Sequence, residues 1–209
     1  MQIVAISDTH GKHRDLQPLP EGDVLIHAGD VSRGGTKDQV TDFLDWFATQ
    51  SHIHKIFIAG NHDFFFEQAD PDEISSIIPD GIVYLNDSGV EINGFNFWGS
   101  PITPWFNNWA FNRDRGSEIK QHWDLIPEDT NILITHGPPF GILDETVYGK
   151  CTGCEELLLR VYQVRPKYHI FGHIHEDYGS FVKGETTFIN GSVLDDWYDL
   201  KNQPKTLNL

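Results

Sequence analysis

Five times along this chain a short apolar run ends abruptly in a polar cluster. Ile3–Ile6 leads into Ser7-Asp8-Thr9-His10-Gly11, Val24–Ala28 into Gly29-Asp30, and Lys55–Ala59 into Gly60-Asn61-His62-Asp63. Ile132–Thr135 leads into His136-Gly137-Pro138-Pro139, and Tyr168–Phe171 into Gly172-His173-Ile174-His175. Runs of four or five residues rich in β-branched side chains read as strands buried on both faces. Between them lie helical patterns. Thr36 is placed to cap a helix through Ala48 that turns Val40, Phe43, Leu44 and Phe47 to one side. A second helix is expected from Gly153 to Val164, stopped by Pro166, and a short third from Ser117 to Leu125. Ile92-Asn93-Gly94-Phe95 carries the Asn-Gly signal of a type I′ hairpin, and Lys183-Gly184 marks a second hairpin. Strands alternating with helices, plus hairpins, predict an α/β protein with mixed strand direction. Such sheets gather ligands at the carboxyl ends of their strands.

The 209 residues fit a single domain, expected over 1–209, with a core that needs no disulfides. With 15 basic and 31 acidic side chains the formal charge is −16, which disfavours long nucleic acids and anionic membranes as partners. No apolar run approaches the ~18 residues of a bilayer span. The opening segment lacks the basic and apolar regions of a signal peptide, so the expected setting is cytoplasmic. Eleven histidines are more than a merely solubilised acidic domain needs. The lone Cys151-Thr152-Gly153-Cys154 pair reads as two inert thiols, with redox activity as the alternative.

The polar clusters carry the chemistry. Asp8 and His10, two apart at a strand end, are expected to point the same way, as are His173 and His175. Asp30, Asn61 and His136 each follow a strand singly. Oxygen and imidazole donors without thiolate suit Mn²⁺, Fe or Zn²⁺. Seven donors exceed one ion's needs and match two ions sharing a carboxylate. Such a pair acidifies water and clamps two phosphoryl oxygens.

Taken together, Asp8-x-His10, Gly29-Asp30, Gly60-Asn61-His62-Asp63, His136 and Gly172-His173-x-His175 resemble, in order, the five motifs of calcineurin-like metallophosphoesterases. The stretches 22–30, 103–107 and 136–139 are similar to the metallophosphoesterase-domain-containing (239AB-like) subgroup. The resemblance implies an αββα sandwich of two mixed sheets flanked by helices. It implies one ion on Asp8, His10, Asp30 and His175, and another on Asp30, Asn61, His136 and His173. It also implies a phosphate-contacting role for His62 and hydrolysis of small phosphodiesters, nucleotides or cyclic nucleotides included, by a metal-bridging hydroxide. Arg33 stands where protein phosphatases place the Asp that orients this histidine, which leaves the partner of His62 open. Arg33, Asn107 and Arg113 are candidate substrate contacts. The aromatic stretch 105–115 is either a wall for a nucleobase or a plug that pins a loop. Other readings are a phosphomonoesterase and a catalytically weak nucleotide-binding scaffold. His27 and His169 are expected in the core, and His13, His52, His54 and His122 on the surface.

Overall fold

A computed structural model describes residues 1–16 and 18–209. Each apolar run becomes a strand: β1 (Gln2–Ile6), β2 (Val24–Ala28) and β3 (His54–Ile58). They run parallel, with β4 (Ile82–Tyr84) continuing the sheet beyond β3. A second sheet contains β5 (Ser88–Ile92) and β6 (Phe95–Ser100). β7 (Thr103–Pro104) and β8 (Asn112–Arg113) form a small separate pair. β9 (Ile132–Thr135), β10 (Tyr168–Phe171), β11 (Gly179–Lys183) and β12 (Thr186–Asn190) complete the second sheet, in order β11-β12-β10-β9-β6-β5. β13 (Lys205–Asn208) returns to the first sheet antiparallel to β1, giving β13-β1-β2-β3-β4. Both sheets therefore have a parallel centre and at least one antiparallel edge.

The strand pattern explains the layers. Ile3, Ala5, Ile26, Ile56 and Ile58 of the first sheet pack with Phe97, Ile132, Ile134, Ile170 and Ile189 of the second. The alternate residues Val4, Ile6, Leu25, Phe57, Leu133, Phe171 and Phe188 belong to an outer apolar cluster with the helices. There α1 (Lys37–Ala48) contributes Val40, Phe43 and Phe47, with the Phe43 and Phe57 rings 5.7 Å apart. Burial of each such side chain stabilises the fold by ~1.5–3 kcal/mol. α2 (Phe64–Gln68), α3 (Pro71–Ile77) and α4 (Ser117–Trp123) precede α5 (Glu155–Val164), whose Leu157 and Val161 join the same cluster. The result is the expected sandwich of two mixed sheets flanked by helices.

Local signals hold where chemistry enforces them. Thr36 caps α1 through the Gln39 amide, and α5 ends at Arg165 in a left-handed conformation before Pro166. Asn93 and Gly94 both have positive φ, as a type I′ turn demands, and Ile92 pairs with Phe95. The second hairpin turns at Gly184-Glu185, one residue later than expected, because Lys183 pairs with Thr186. Among the described residues no helix is long and apolar enough to cross a membrane.

Candidate metal centre

The strand ends do not simply extend to present ligands. Asp8, His10, Asp30 and His173 all adopt left-handed φ, from 43° to 70°. Side-chain alternation beyond β1 is thus replaced by a looped backbone, which still brings the ligand atoms of Asp8 and His10 into one cluster. For non-glycine residues this conformation costs about 1–2 kcal/mol each, so other bonds must hold it. They do: the amides of Asp8, His10 and Gly11 donate to the carbonyls of Gly29, Asp30 and Val31. Asp63 locks the next loop, accepting from the amides of Gly60, Val31 and Ser32 and from the Ser32 hydroxyl. Burial and the nearby Asp30 carboxylate nonetheless push Asp63 up to about 6. Two glycines are required by close approach. A Cβ on Gly60 would lie 2.3 Å from Asp30 Oδ1, and one on Gly172 would lie 1.9 Å from Asp8 Oδ2.

These loops bring the seven predicted ligands together. Potential ligand atoms of Asp8, His10 and His175 lie within 4.8 Å of one another, and so do those of Asp30, His136 and His173. A third grouping joins His10, Asp30 and His62. Asp30 Oδ2 lies 3.5 Å from His10 Nε2 and 3.3 Å from His136 Nε2, so one carboxylate faces both clusters. Asn61 Oδ1 is 2.9 Å from the same His136 Nε2. His136 Nδ1–H donates to the Ala28 carbonyl and His175 Nδ1–H to the Asp195 carbonyl, which leaves Nε2 of each aimed at the carboxylates. Asp8 is held by the His173 amide and the Ser192 hydroxyl.

Charge in this centre is uncompensated by any lysine or arginine: among the described residues, Asp8 and Asp30 pair only with imidazoles. Burial alone would lower His136 and His175, but the Asp30 and Asp8 carboxylates outweigh it and push each up to about 9. Burial would raise the two carboxylates, yet the surrounding imidazoles hold Asp8 and Asp30 below the ordinary range. Burial takes His10 and His173 down to about 4. Both ring nitrogens of His10 are buried without a hydrogen-bond partner. An orphaned imidazole beside two buried carboxylates fits a cation's donor set, not a core.

The calcineurin-like phosphoesterase profile matches residues 1–177. Human metallophosphoesterase domain-containing protein 1 is 41% identical over 231 aligned positions, covering 100% of this chain and 71% of that protein. A Caenorhabditis elegans UPF0046 protein is 38% identical, covering 98% of this chain and 59% of its own length. The crystal structure of phosphopantetheinyl hydrolase from Mycobacterium tuberculosis shares the fold, with TM-score 0.63 at 16% identity over 92% of this chain and 89% of that one. The chain belongs to the calcineurin-like phosphoesterase family. It is a metal-dependent phosphoester hydrolase, and the family and the two His/Asp clusters together indicate a centre for two metal ions.

Beside the clusters of this phosphoesterase opens a cavity of about 300 Å³. His62 lines it, stacked on Trp109 at 4.1 Å between ring centroids and edge-on to His10 at 4.6 Å. The partner that the sequence left open is the Arg33 carbonyl, which accepts from His62 Nδ1–H at 2.9 Å; the His62 amide donates to Asp30. Arg33 is not in the lining of this cavity and instead lines a separate pocket with Asp38 and Asp42. Arg113 is spent on His122 and the Asn112 carbonyl, 4.0 Å from Glu67, and does not line the cavity. Asn107 is exposed at a left-handed turn and also stands outside the lining, whereas its neighbours Phe106 and Trp109 are in it. The aromatic stretch divides accordingly: Phe106 and Trp109 form wall, and Ala110 and Phe111 enter the core. Arg115 clips this segment to Thr152, Gly153 and Glu155.

The sequence reading missed the far side of the cavity. Tyr198 lies 4.9 Å from both His10 and His175, and Asp196 and Glu176 complete the lining. The signal was Asp195-Asp196-Trp197-Tyr198-Asp199, an aromatic pair set among acids just after an apolar run. His27 and His169 are in the core as expected, but so are His13 and His52. His13 reaches Asp42 under the Phe43 and Trp46 rings, and His52 meets the Pro20 carbonyl. His54 is half-buried, and His122 is half-buried against Asp87. Burial pushes the Cys154 thiol up to about 11, and neighbouring acids raise Cys151, so neither is an activated thiol.

Proposed function

We propose that this phosphoesterase hydrolyses small phosphodiesters with two metal ions. The carrying observation is Asp30, shared between two His/Asp clusters and, among the described residues, paired with no lysine or arginine. Asp8, His10, Asp30 and His175 would hold one ion, and Asp30, Asn61, His136 and His173 the other. Such ions supply positive charge against phosphoryl oxygens and make water more acidic. The oxygen and imidazole donors favour Mn²⁺, with Fe or Zn²⁺ as the other choices.

The chain's own groups do the rest. A water oxygen forms a bond to phosphorus as the opposite ester P–O bond breaks, and the departing oxygen needs a proton. His62 is placed to give it: Nδ1–H is fixed on the Arg33 carbonyl, so Nε2 is the atom free to exchange a proton. Trp109 holds the ring by stacking. The cavity lining contains no lysine or arginine but includes Glu176 and Asp196. That charge favours a singly charged diester over a doubly charged monoester. Phe106 and Trp109 offer ring surface to a substituent as large as a nucleoside. A cavity of about 300 Å³ under a −16 exterior disfavours long nucleic acids.

The test is hydrolysis of bis-(p-nitrophenyl) phosphate by Mn²⁺-loaded protein. Activity is expected for the wild type and a loss of about a hundredfold or more for Asn61→Ala and His173→Ala, in line with removal of a transition-state contact. Wild type and variants equally inert toward this ester with metal bound would overturn the phosphodiesterase reading.

A further inference from the structure

We propose that the diester taken by this site carries an ammonium-type cation on one ester arm. This rests on the phosphodiesterase reading and names its substrate class. Beyond the metal clusters the cavity offers Phe106, Trp109 and Tyr198 together with Glu176 and Asp196. Aromatic surface interleaved with carboxylates is what an alkylammonium group binds, through the ring quadrupole and through charge.

The carboxylates carry unpaired charge, although Glu176 Oε1 accepts from the Val147 amide. Among the described residues neither Glu176 nor Asp196 forms an ion pair. Of the basic groups nearby, Lys201 Nζ bonds Asp195 and Lys12 Nζ bonds the Tyr198 carbonyl, and none of Lys201, Lys12 and Arg33 lines the cavity. The loop that carries Asp196 and Tyr198 is firmly built. The Asp195 carboxylate accepts from the amides of Trp197 and Asp199, and its carbonyl accepts from His175 Nδ1–H. Asp196 and Tyr198 are therefore registered to the same residue that orients a candidate ligand. Tyr198, at φ 61°, is held against His10 and His175, so a substituent reaching outward from the phosphate meets its ring and the Asp196 carboxylate.

Charge balance favours the same class. A diester phosphate with one ammonium arm is a zwitterion of zero net charge, so the −16 exterior does not repel it. An anionic arm would meet Glu176 and Asp196 in a lining that holds no lysine or arginine. One exposed cation–π contact and one exposed ion pair together correspond to about tenfold in kcat/KM.

The experiment compares p-nitrophenyl phosphorylcholine with p-nitrophenyl 3,3-dimethylbutyl phosphate, using the full Mn²⁺-loaded chain. The two share leaving group and shape and differ by one positive charge. The expected result is about a tenfold preference in kcat/KM for the choline ester. The preference should fall toward parity in a Glu176→Gln/Asp196→Asn double variant, and in the wild type when salt is raised from about 0.05 to about 0.5 M. Equal rates for the matched pair, or a ratio unmoved by both variant and salt, would overturn the proposal while leaving the phosphodiesterase reading intact. A cyclic nucleotide turned over faster than the choline ester would also overturn it. If neither ester is hydrolysed while bis-(p-nitrophenyl) phosphate is, this proposal fails and the phosphodiesterase reading stands; if none of the three is hydrolysed, both fail.

Discussion

His169 offers a pH test with a magnitude fixed by its surroundings. It is fully buried on β10. The Thr135 hydroxyl donates to the Gly137 carbonyl and therefore accepts from His169 Nε2–H, while Nδ1 has no partner. Burial alone lowers its pKa from the ordinary 6.5 to about 3. The folded chain thus keeps a neutral imidazole where the unfolded chain takes up a proton. Stability is present in full above pH 6.5 and drains as pH falls toward 3. At pH 5 the unfolded state gains ~2 kcal/mol from this one protonation, against ~0.2 kcal/mol at pH 7. His169→Gln places an uncharged donor near the Nε2 position and removes the titration. Urea unfolding of chelator-treated protein at both pH values, followed by tryptophan fluorescence, reads the difference. The wild type should lose ~2 kcal/mol more than the variant between pH 7 and pH 5, a midpoint difference of about 1 M urea. Equal losses in the two proteins would refute the claim that His169 is held neutral by burial.

Four further outcomes follow from the same geometry. Gly60→Ala drives a Cβ into Asp30, so bound metal and diesterase activity should fall together, by about a hundredfold in rate, as read by elemental analysis and nitrophenol release. Trp109→Ala removes the stack on His62 and should lower kcat about tenfold with little change in metal content, while Trp109→Phe restores most of it. Metal-free His136 and His175 hold protons up to about pH 9, so an incoming ion must displace them; calorimetric Mn²⁺ affinity should rise by about tenfold or more from pH 6.5 to pH 8. Cys151→Ser and Cys154→Ser should retain wild-type diesterase rates, and loss of activity in either would revive a thiol role.

Much of this was legible in the sequence because it is local or periodic. The short apolar runs define the central strands, and Thr36, Pro166 and Asn93-Gly94 punctuate helices and a hairpin by backbone chemistry that needs no tertiary partner. The donor set was legible because each ligand follows one of those runs. What escaped depends on distant segments meeting. Tyr198 acquires a role only when the C-terminal loop packs on His10, and His13 is buried only because α1 lays Phe43 and Trp46 over it. The short helices α2 and α3 lack a full amphipathic period. The edge strand β4 has only three residues, and β13 alternates half-buried and exposed positions without an apolar run. The left-handed turns at Asp8, His10 and Asp30 were hidden as well, since these residues take that conformation against their own preference and are held there by bonds from the neighbouring loop.

The central claim is two ions sharing Asp30. Its most direct test is a Mn²⁺ titration of metal-stripped protein followed by electron paramagnetic resonance. The wild type should take up two equivalents per chain and show a spin-coupled signal, and Asp30→Asn should abolish the coupling. A single equivalent, or two equivalents with independent signals in the wild type, would contradict the shared-carboxylate centre.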